Sequence, residues 1–174
     1  FKMEKFFIFF ISLFLIGCTT KKPQTYTDLC PEVFFSKDHR VYITTNENSL
    51  TLNNISYKVE INNYNFVSEC LVMDNKFTTT LSLLFIVKPD KAKKNNIVIP
   101  YYLALLDNQK NILNVQYYKV TGHLEEDSDN SSYIETEIIK TQDVIIPIQD
   151  INDDSITMLL IGFMLNQEKL KILN

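Results

Sequence analysis

Apolar and polar residues alternate with a period of two along most of this chain, the pattern of half-buried β-strands. Phe77, Thr79, Leu81, Leu83, Phe85 and Val87 fall on one face of a strand, and Lys76, Thr78, Thr80 and Ser82 on the other. Leu84 and Ile86 then make its second half apolar on both sides. Asp74-Asn75 predicts a tight turn back to a strand ending in Cys70-Leu71-Val72-Met73. Tyr57, Val59 and Ile61 alternate with Lys58, Glu60 and Asn62 until the phase slips at Asn62-Asn63 and Tyr64 and Phe66 take over. A bulge or turn is expected there. Residues 97–106 are apolar on both faces, and Pro100 marks their first half as an edge or bulge. Residues 107–111 read as a hairpin loop into a strand over 112–120. Two short strands are expected at 134–138 and 144–148, the second with Pro147 as an edge signal, and residues 156–165 are the most apolar strand. Asn166 is placed to cap a short helix, with Glu168 near its positive end and Leu170 and Ile172 or Leu173 tucked beneath.

About eight short strands, turn signals between them and almost no helix predict an all-β fold. The expected form is an antiparallel β-sandwich, immunoglobulin-like, with a short C-terminal helix; a small barrel is the competing closure. The domain runs over residues 30–174, without internal repeats or low-complexity stretches.

The stretch before it has a different character. Lys2 and Lys5 precede an apolar run from Phe6 to Ile16 in which Ser12 is the only polar residue, and Gly17-Cys18 follows. A charged start, a short apolar run and a small residue before the cut form a secretory signal. Spanning a bilayer takes roughly 20 apolar residues, more than this run offers. Met3 is the expected start, residues 1–17 the signal, and Cys18 the site of lipid attachment after cleavage. More than one acyl chain there holds a protein firmly to a membrane. Residues 18–29 read as a lipidated tether, polar, with Pro23 and no periodicity. Thr19 stands where an inner-membrane retention signal would carry aspartate, which leans towards the outer membrane.

Export changes the reading of the cysteines. With Cys18 lipidated, Cys30 and Cys70 are an even pair in an oxidising compartment and read as one disulfide. Two buried thiols or a metal pair are the alternatives, though no histidine or CxxC motif accompanies them. The net charge of −4 becomes more negative once Lys2, Glu4 and Lys5 are removed, which argues against nucleic acid as a partner. Arg40 is the only arginine, so bidentate grips on phosphate or carboxylate are scarce.

Reactive side chains are few. His39 and His123 are far apart in sequence and read as solvated surface histidines rather than catalytic bases. The acidic clusters Glu125-Glu126-Asp127 with Asp129, and Asp150 with Asp153-Asp154, lack the glycine-punctuated spacing of a calcium loop. Only Gly122 and Gly162 remain after the signal, too few for a phosphate-cradling loop. Gly162 is expected to permit close approach or a bulge, and Phe163 to plug the end of the sandwich. No cofactor, metal or catalytic group is called for.

The richest constellation is aromatic. A hairpin centred on Gln109 sets Tyr101 opposite Tyr117 and Tyr102 opposite Gln116. Tyr101 and Tyr117 then belong to the core, while Tyr102, Asn114, Gln116 and Tyr118 share the other face. Tyrosines beside amides can stack on sugar rings or anchor a protein partner. Ala104 on that same face suits a covering layer instead.

A lipobox, a tether, Cys-Pro, a second cysteine, "IPYYLALLDNQKNIL" and "GFMLNQEKL" resemble a family of uncharacterised alphaproteobacterial lipoproteins. Its last motif reads Gly-Phe-Gln-Leu followed by Thr-Pro-Glu-Gln-Leu. Gly162, Phe163, Leu165, Glu168 and Leu170 match; Met164, Asn166-Gln167 and Lys169 depart. The resemblance implies an envelope lipoprotein with a cysteine bridge and brings no catalytic residues. The expectation is a non-enzymatic protein-interaction or assembly module, held to the membrane through Cys18, facing the periplasm and bound to an envelope protein partner. A glycan- or small-ligand-binding module is the alternative.

Overall fold

The computed structural model describes residues 30–45, 51–129, 132–148, 156 and 158–173, together with the backbone of 25–26. The expected signal (1–17), Cys18, most of the tether (18–29) and the cluster Asp150, Asp153 and Asp154 lie outside the described residues. Among the described residues ten strands and one α-helix follow in order: β1 (Thr25–Tyr26), β2 (Glu32–Phe35), β3 (Val41–Thr45), β4 (Ile55–Phe66), β5 (Cys70–Met73), β6 (Lys76–Pro89), β7 (Asn96–Leu106), β8 (Ile112–His123), β9 (Thr136–Pro147), β10 (Met158–Phe163) and α1 (Gln167–Leu173). A 3-10 turn (Lys37–His39) joins β2 to β3.

The first sheet is built on β6, whose inward residues Phe77, Thr79, Leu81, Leu83, Phe85 and Val87 are buried as the alternation predicts. β4 and β5 share one edge of β6, β4 pairing residues 81–89 and β5 residues 76–78. β9 takes the other edge, β3 pairs beyond β4, and the two-residue β1, inside the stretch read as tether, pairs β5. The phase slip is a register shift between Ile61 and Asn63. The β5–β6 turn places Asp74 and Asn75 at φ 52° and 57°, the left-handed pair a two-residue hairpin demands.

The second sheet has the order β2-β10-β7-β8. β10 is antiparallel to β7, as β7 is to β8, but β2 runs parallel to β10. The expected antiparallel arrangement therefore holds in the first sheet and is broken in the second. β2 and β10 stand at opposite ends of the domain, so no hairpin fixes their relative direction, and the strands between them supply the crossover a parallel pair needs.

The sheets pack face to face around one core to which both contribute. Phe85 of β6 lies 5.5 Å from Tyr101 of β7 and 6.1 Å from Phe163 of β10, ring centre to ring centre. Phe163 is fully buried and also meets Tyr42, consistent with a plug. Cys30, ahead of β2, is bonded to Cys70 on β5, so the disulfide ties one sheet to the other and the thiol and metal alternatives fall away.

Two further expectations change. The two short strands at 134–138 and 144–148 are one continuous strand, β9, paired to β6 along its whole length. Its middle turns Lys140 and Gln142 inward at the sheet edge and leaves Ile139 outside, which erases the alternation. Pro147 ends it, as an edge proline can. Pro100 sits in β7 just beyond residues 101–106, which β10 pairs; its carbonyl still accepts the Met164 amide at 3.0 Å, so its missing N–H falls at the very end of that ladder. Beyond β10, Asn166 caps α1 by accepting a hydrogen bond from the Lys169 amide at 3.0 Å.

Candidate functional site

The β7–β8 hairpin decides where the candidate tyrosines go. Its loop begins with Asp107, whose carboxylate accepts the amides of Gln109 (2.9 Å) and Asn111 (2.8 Å). These bonds, with that of the Asn111 side chain foremost, lower the carboxyl pKa. The Asp107 carbonyl accepts the Lys110 amide, and Lys110 takes φ 66°. This is a type I turn closed by a left-handed residue, which suits a three-residue hairpin loop. Leu106 consequently pairs Ile112, as a hairpin centred on Gln109 requires.

One residue later the register shifts: Leu105 pairs Asn114, and Leu113 is the extra residue of a bulge. A one-residue slip moves every following side chain to the opposite face. Tyr101 therefore stands opposite Tyr118, and Tyr102 opposite Tyr117. The expected pairing of Tyr101 with Tyr117 and of Tyr102 with Gln116 is corrected. Asn114, Gln116 and Tyr118 do share a face, but it is the inward one, and Tyr102 is not on it. Tyr117 belongs to the outer face, 65 % exposed.

On the inward face Tyr118 stacks on Tyr101, centroids 5.5 Å apart. The Tyr101 hydroxyl is buried with no hydrogen-bond partner among the described residues. Burial, then the neighbouring Tyr118 phenol, push its pKa upward. Burial raises that of Tyr118 as well. Asn114 donates to the Pro147 carbonyl at 2.8 Å, joining β8 to the end of β9 on the flank of the sandwich. The inward residues here are polar because β8 and β9 are both edges, where the core gives way to water.

The outer face of the second sheet is organised in rows across the strands. Glu32, Met158, Leu106 and Ile112 form one row, and Phe34, Leu160, Ala104 and Val115 the next. Gly162, Tyr102 and Tyr117 make the third, and Pro100 and Lys119 the fourth. Phe34 is 41 % and Ile112 62 % exposed. A sheet with one face on the core ordinarily shows polar residues on the other. Ala104 and Leu106, in the middle of the face, are buried, so its exposed apolar residues lie mainly along the two edge strands.

Gly162 has a specific reason to be glycine. Tyr102, its cross-strand partner, lies over it so closely that a Cβ there would come within 2.6 Å of the tyrosine hydroxyl oxygen. Close approach is thus the correct part of the expectation, and a side chain makes it rather than a backbone. The ring is met edge-on by His39 at 5.9 Å, and His39 donates from Nδ1 to the Phe163 carbonyl at 2.9 Å. His39 is half-buried, so its reading as a solvated side chain is corrected; His123 is exposed. The Glu125–Asp127 stretch forms a turn bridged to Ser132–Ile134 by backbone hydrogen bonds. No group of three or more His, Cys, Asp or Glu able to hold a metal occurs among the described residues.

An open groove of about 460 Å³ lies on the first sheet, lined by Ser68, Glu69, Thr78, Thr80 and Asp143 among others. Several of its polar groups are already committed: Thr80 donates to Asp143, and the Ser68 hydroxyl accepts the Thr80 amide. No helix among the described residues is long and apolar enough to cross a membrane. No family model, curated protein or solved structure matches this chain.

Proposed function

We propose that this protein is an envelope lipoprotein, anchored through lipid on Cys18, whose immunoglobulin-like sandwich docks another envelope protein without catalysing a reaction. The observation that carries the docking reading is the apolar outer side of the second sheet's two edge strands, where Phe34 of β2 and Ile112 and Tyr117 of β8 stand exposed. Exposed aromatic side chains are the usual anchors of a protein interface. Support for the anchor is the ordered sequence of charge, apolar run, glycine and cysteine at residues 2–18. The disulfide between the two sheets fits an oxidising compartment. The experiment is affinity purification of the lipidated protein from its own membranes, with Cys18→Ala and Tyr117→Glu as controls. A partner that co-purifies with wild type, is lost with Tyr117→Glu, and is accompanied by a Cys18-dependent lipid label is the expected result. Recovery unchanged by Tyr117→Glu would reject this face.

A second reading has its own observation. The Tyr101 hydroxyl has no hydrogen-bond partner among the described residues, its ring stacks on Tyr118, and the same inward side of edge strand β8 carries Gln116 and Asn114, polar groups of the kind that bind a glycan. Saccharide binding lost on Gln116→Ala but kept in Tyr117→Glu would favour it.

A further inference from the structure

We infer that the groove on the first sheet binds a short linear diamine, one ammonium held at Glu69 and the other at Asp143, with the methylene chain lying across β6 between them. The inference is independent of the docking reading, which concerns the other sheet.

The groove forms where β6 changes partner. The β4 ladder ends at Leu81 and the β5 ladder begins at Thr78, so Thr79 and Thr80 pair with neither strand. Residues 67–69 cross that gap instead. The Val67 amide donates to the Thr80 carbonyl at 2.8 Å, and the Ser68 hydroxyl accepts the Thr80 amide at 2.7 Å. Glu69, just ahead of β5, then lines one side of the groove, and Asp143, which pairs Thr80 from β9, lines the other. Two strand spacings put these residues about 10 Å apart. The volume of about 460 Å³ falls in the size range of small-molecule sites.

The chemistry of the lining selects the ligand. Its hydroxyls are largely spent within the protein: Thr80 donates to Asp143 at 2.9 Å, Thr79 to the Ser68 carbonyl at 3.2 Å, and Ser68 to the Glu69 carbonyl at 3.4 Å. Most of the exposed lining is apolar, with Leu71 and Ile145 on either side of Thr78. The carboxylates are not spent. Among the described residues Asp143 keeps Oδ2 without a partner, and Glu69 makes neither an ion pair nor a side-chain hydrogen bond. Lys76, the next cation along β6, is four residues from Thr80, about 13 Å away.

An apolar floor between two anionic groups complements a ligand with cationic ends and an aliphatic middle. An anion would be repelled, and a saccharide would need the hydroxyls already committed. The carboxylates stand too far apart to close on one calcium ion, whose ligands lie at about 2.3–2.6 Å. A single lysine side chain of a protein would bring only one of the two charges. An ammonium rests about 2.8 Å from its carboxylate, so two nitrogens between these side chains stand roughly 5–8 Å apart, the reach of four or five methylenes. Both acidic residues are exposed, so binding is weak and falls with salt.

Titration of the isotope-labelled full chain in a non-ionic detergent at low salt, followed by amide NMR, tests this. The probes 1,4-diaminobutane and 1,5-diaminopentane should shift the resonances of Thr78, Thr80, Asp143 and Ile145 saturably. They should bind about threefold or more tighter than butylamine, which carries one ammonium. Glu69→Gln and Asp143→Asn should each reduce diamine affinity to that of butylamine, and the amide oxygen introduced by Asp143→Asn can still accept the Thr80 proton. The length series needs no variant: 1,2-diaminoethane, too short to reach both carboxylates, should bind no better than butylamine. Shifts absent from the groove, equal affinity for butylamine or 1,2-diaminoethane, or unchanged diamine binding in either variant overturns the inference. Equal shifts from magnesium ions at the same concentration would make the groove a general cation surface and overturn it as well.

Discussion

Lys169 shows how much one side chain can be asked to bear. Its ammonium lies 3.8 Å from the centre of the Tyr42 ring, where α1 meets β3. Burial lowers its pKa from 10.5 to about 8, although a cation over an aromatic face regains part of the lost hydration. Between those two values the unfolded chain binds the proton more tightly than the folded one. Stability should therefore rise as pH climbs from about 8 towards 10. Tyr42, pushed up to about 12 mainly by burial, acts in the opposite sense. Its unfolded phenol ionises first, and stability should fall above about pH 10. Denaturant titrations from pH 7 to 11 should show a maximum between these limits, and Lys169→Met should remove the rising limb. A rise that persists in Lys169→Met would assign it elsewhere. The lysine is legible in the sequence only as a departure from a motif; its aromatic neighbour, more than 100 positions away, is not.

At the scale of the element, the β7–β8 hairpin was legible in its loop and illegible in its register. Asp107 and Asn111 announce the loop, and the alternation of the flanking residues announces the strands. The bulge at Leu113 leaves no mark, because leucine and asparagine each suit either side of the shift. That single residue moved Tyr117 out and Asn114, Gln116 and Tyr118 in, and so relocated three of the four candidate residues. The turn also predicts a gain. Lys110 holds φ 66° without the freedom of glycine, and Lys110→Gly should stabilise the fold by about 0.5–1 kcal/mol. Thermal unfolding checks this, with loss of stability as the contrary result. The β9 strand was half legible for a related reason: at an edge, polar residues such as Lys140 and Gln142 occupy inward positions, and the pattern that signals a strand disappears.

For the whole molecule, the decisive link is Cys30–Cys70, which closes a loop of 40 residues between the two sheets. Restricting the unfolded chain over that span is worth about 4 kcal/mol on the loop-entropy account. Replacing both cysteines by alanine should lower the unfolding free energy by roughly that amount, measured in denaturant, while leaving the strand content of the folded protein intact. A loss below about 1 kcal/mol would show that the core already holds the sheets together.

Although β1, β2 and β3 went unread, the chain's own order of residues determined strands β4 to β8 and β10, the Asp74-Asn75 turn, the bulge after Ile61, the capped helix and the pairing of Cys30 with Cys70. Each depends on neighbours within a few positions or on a count that leaves few choices. Tertiary structure alone decided the direction of β2 along β10, the continuity of β9, the closeness of Tyr102 to Gly162 and the faces of the hairpin tyrosines. Those depend on which strand lies beside which, and a period of two says that a side chain faces one way or the other without saying what it will find there.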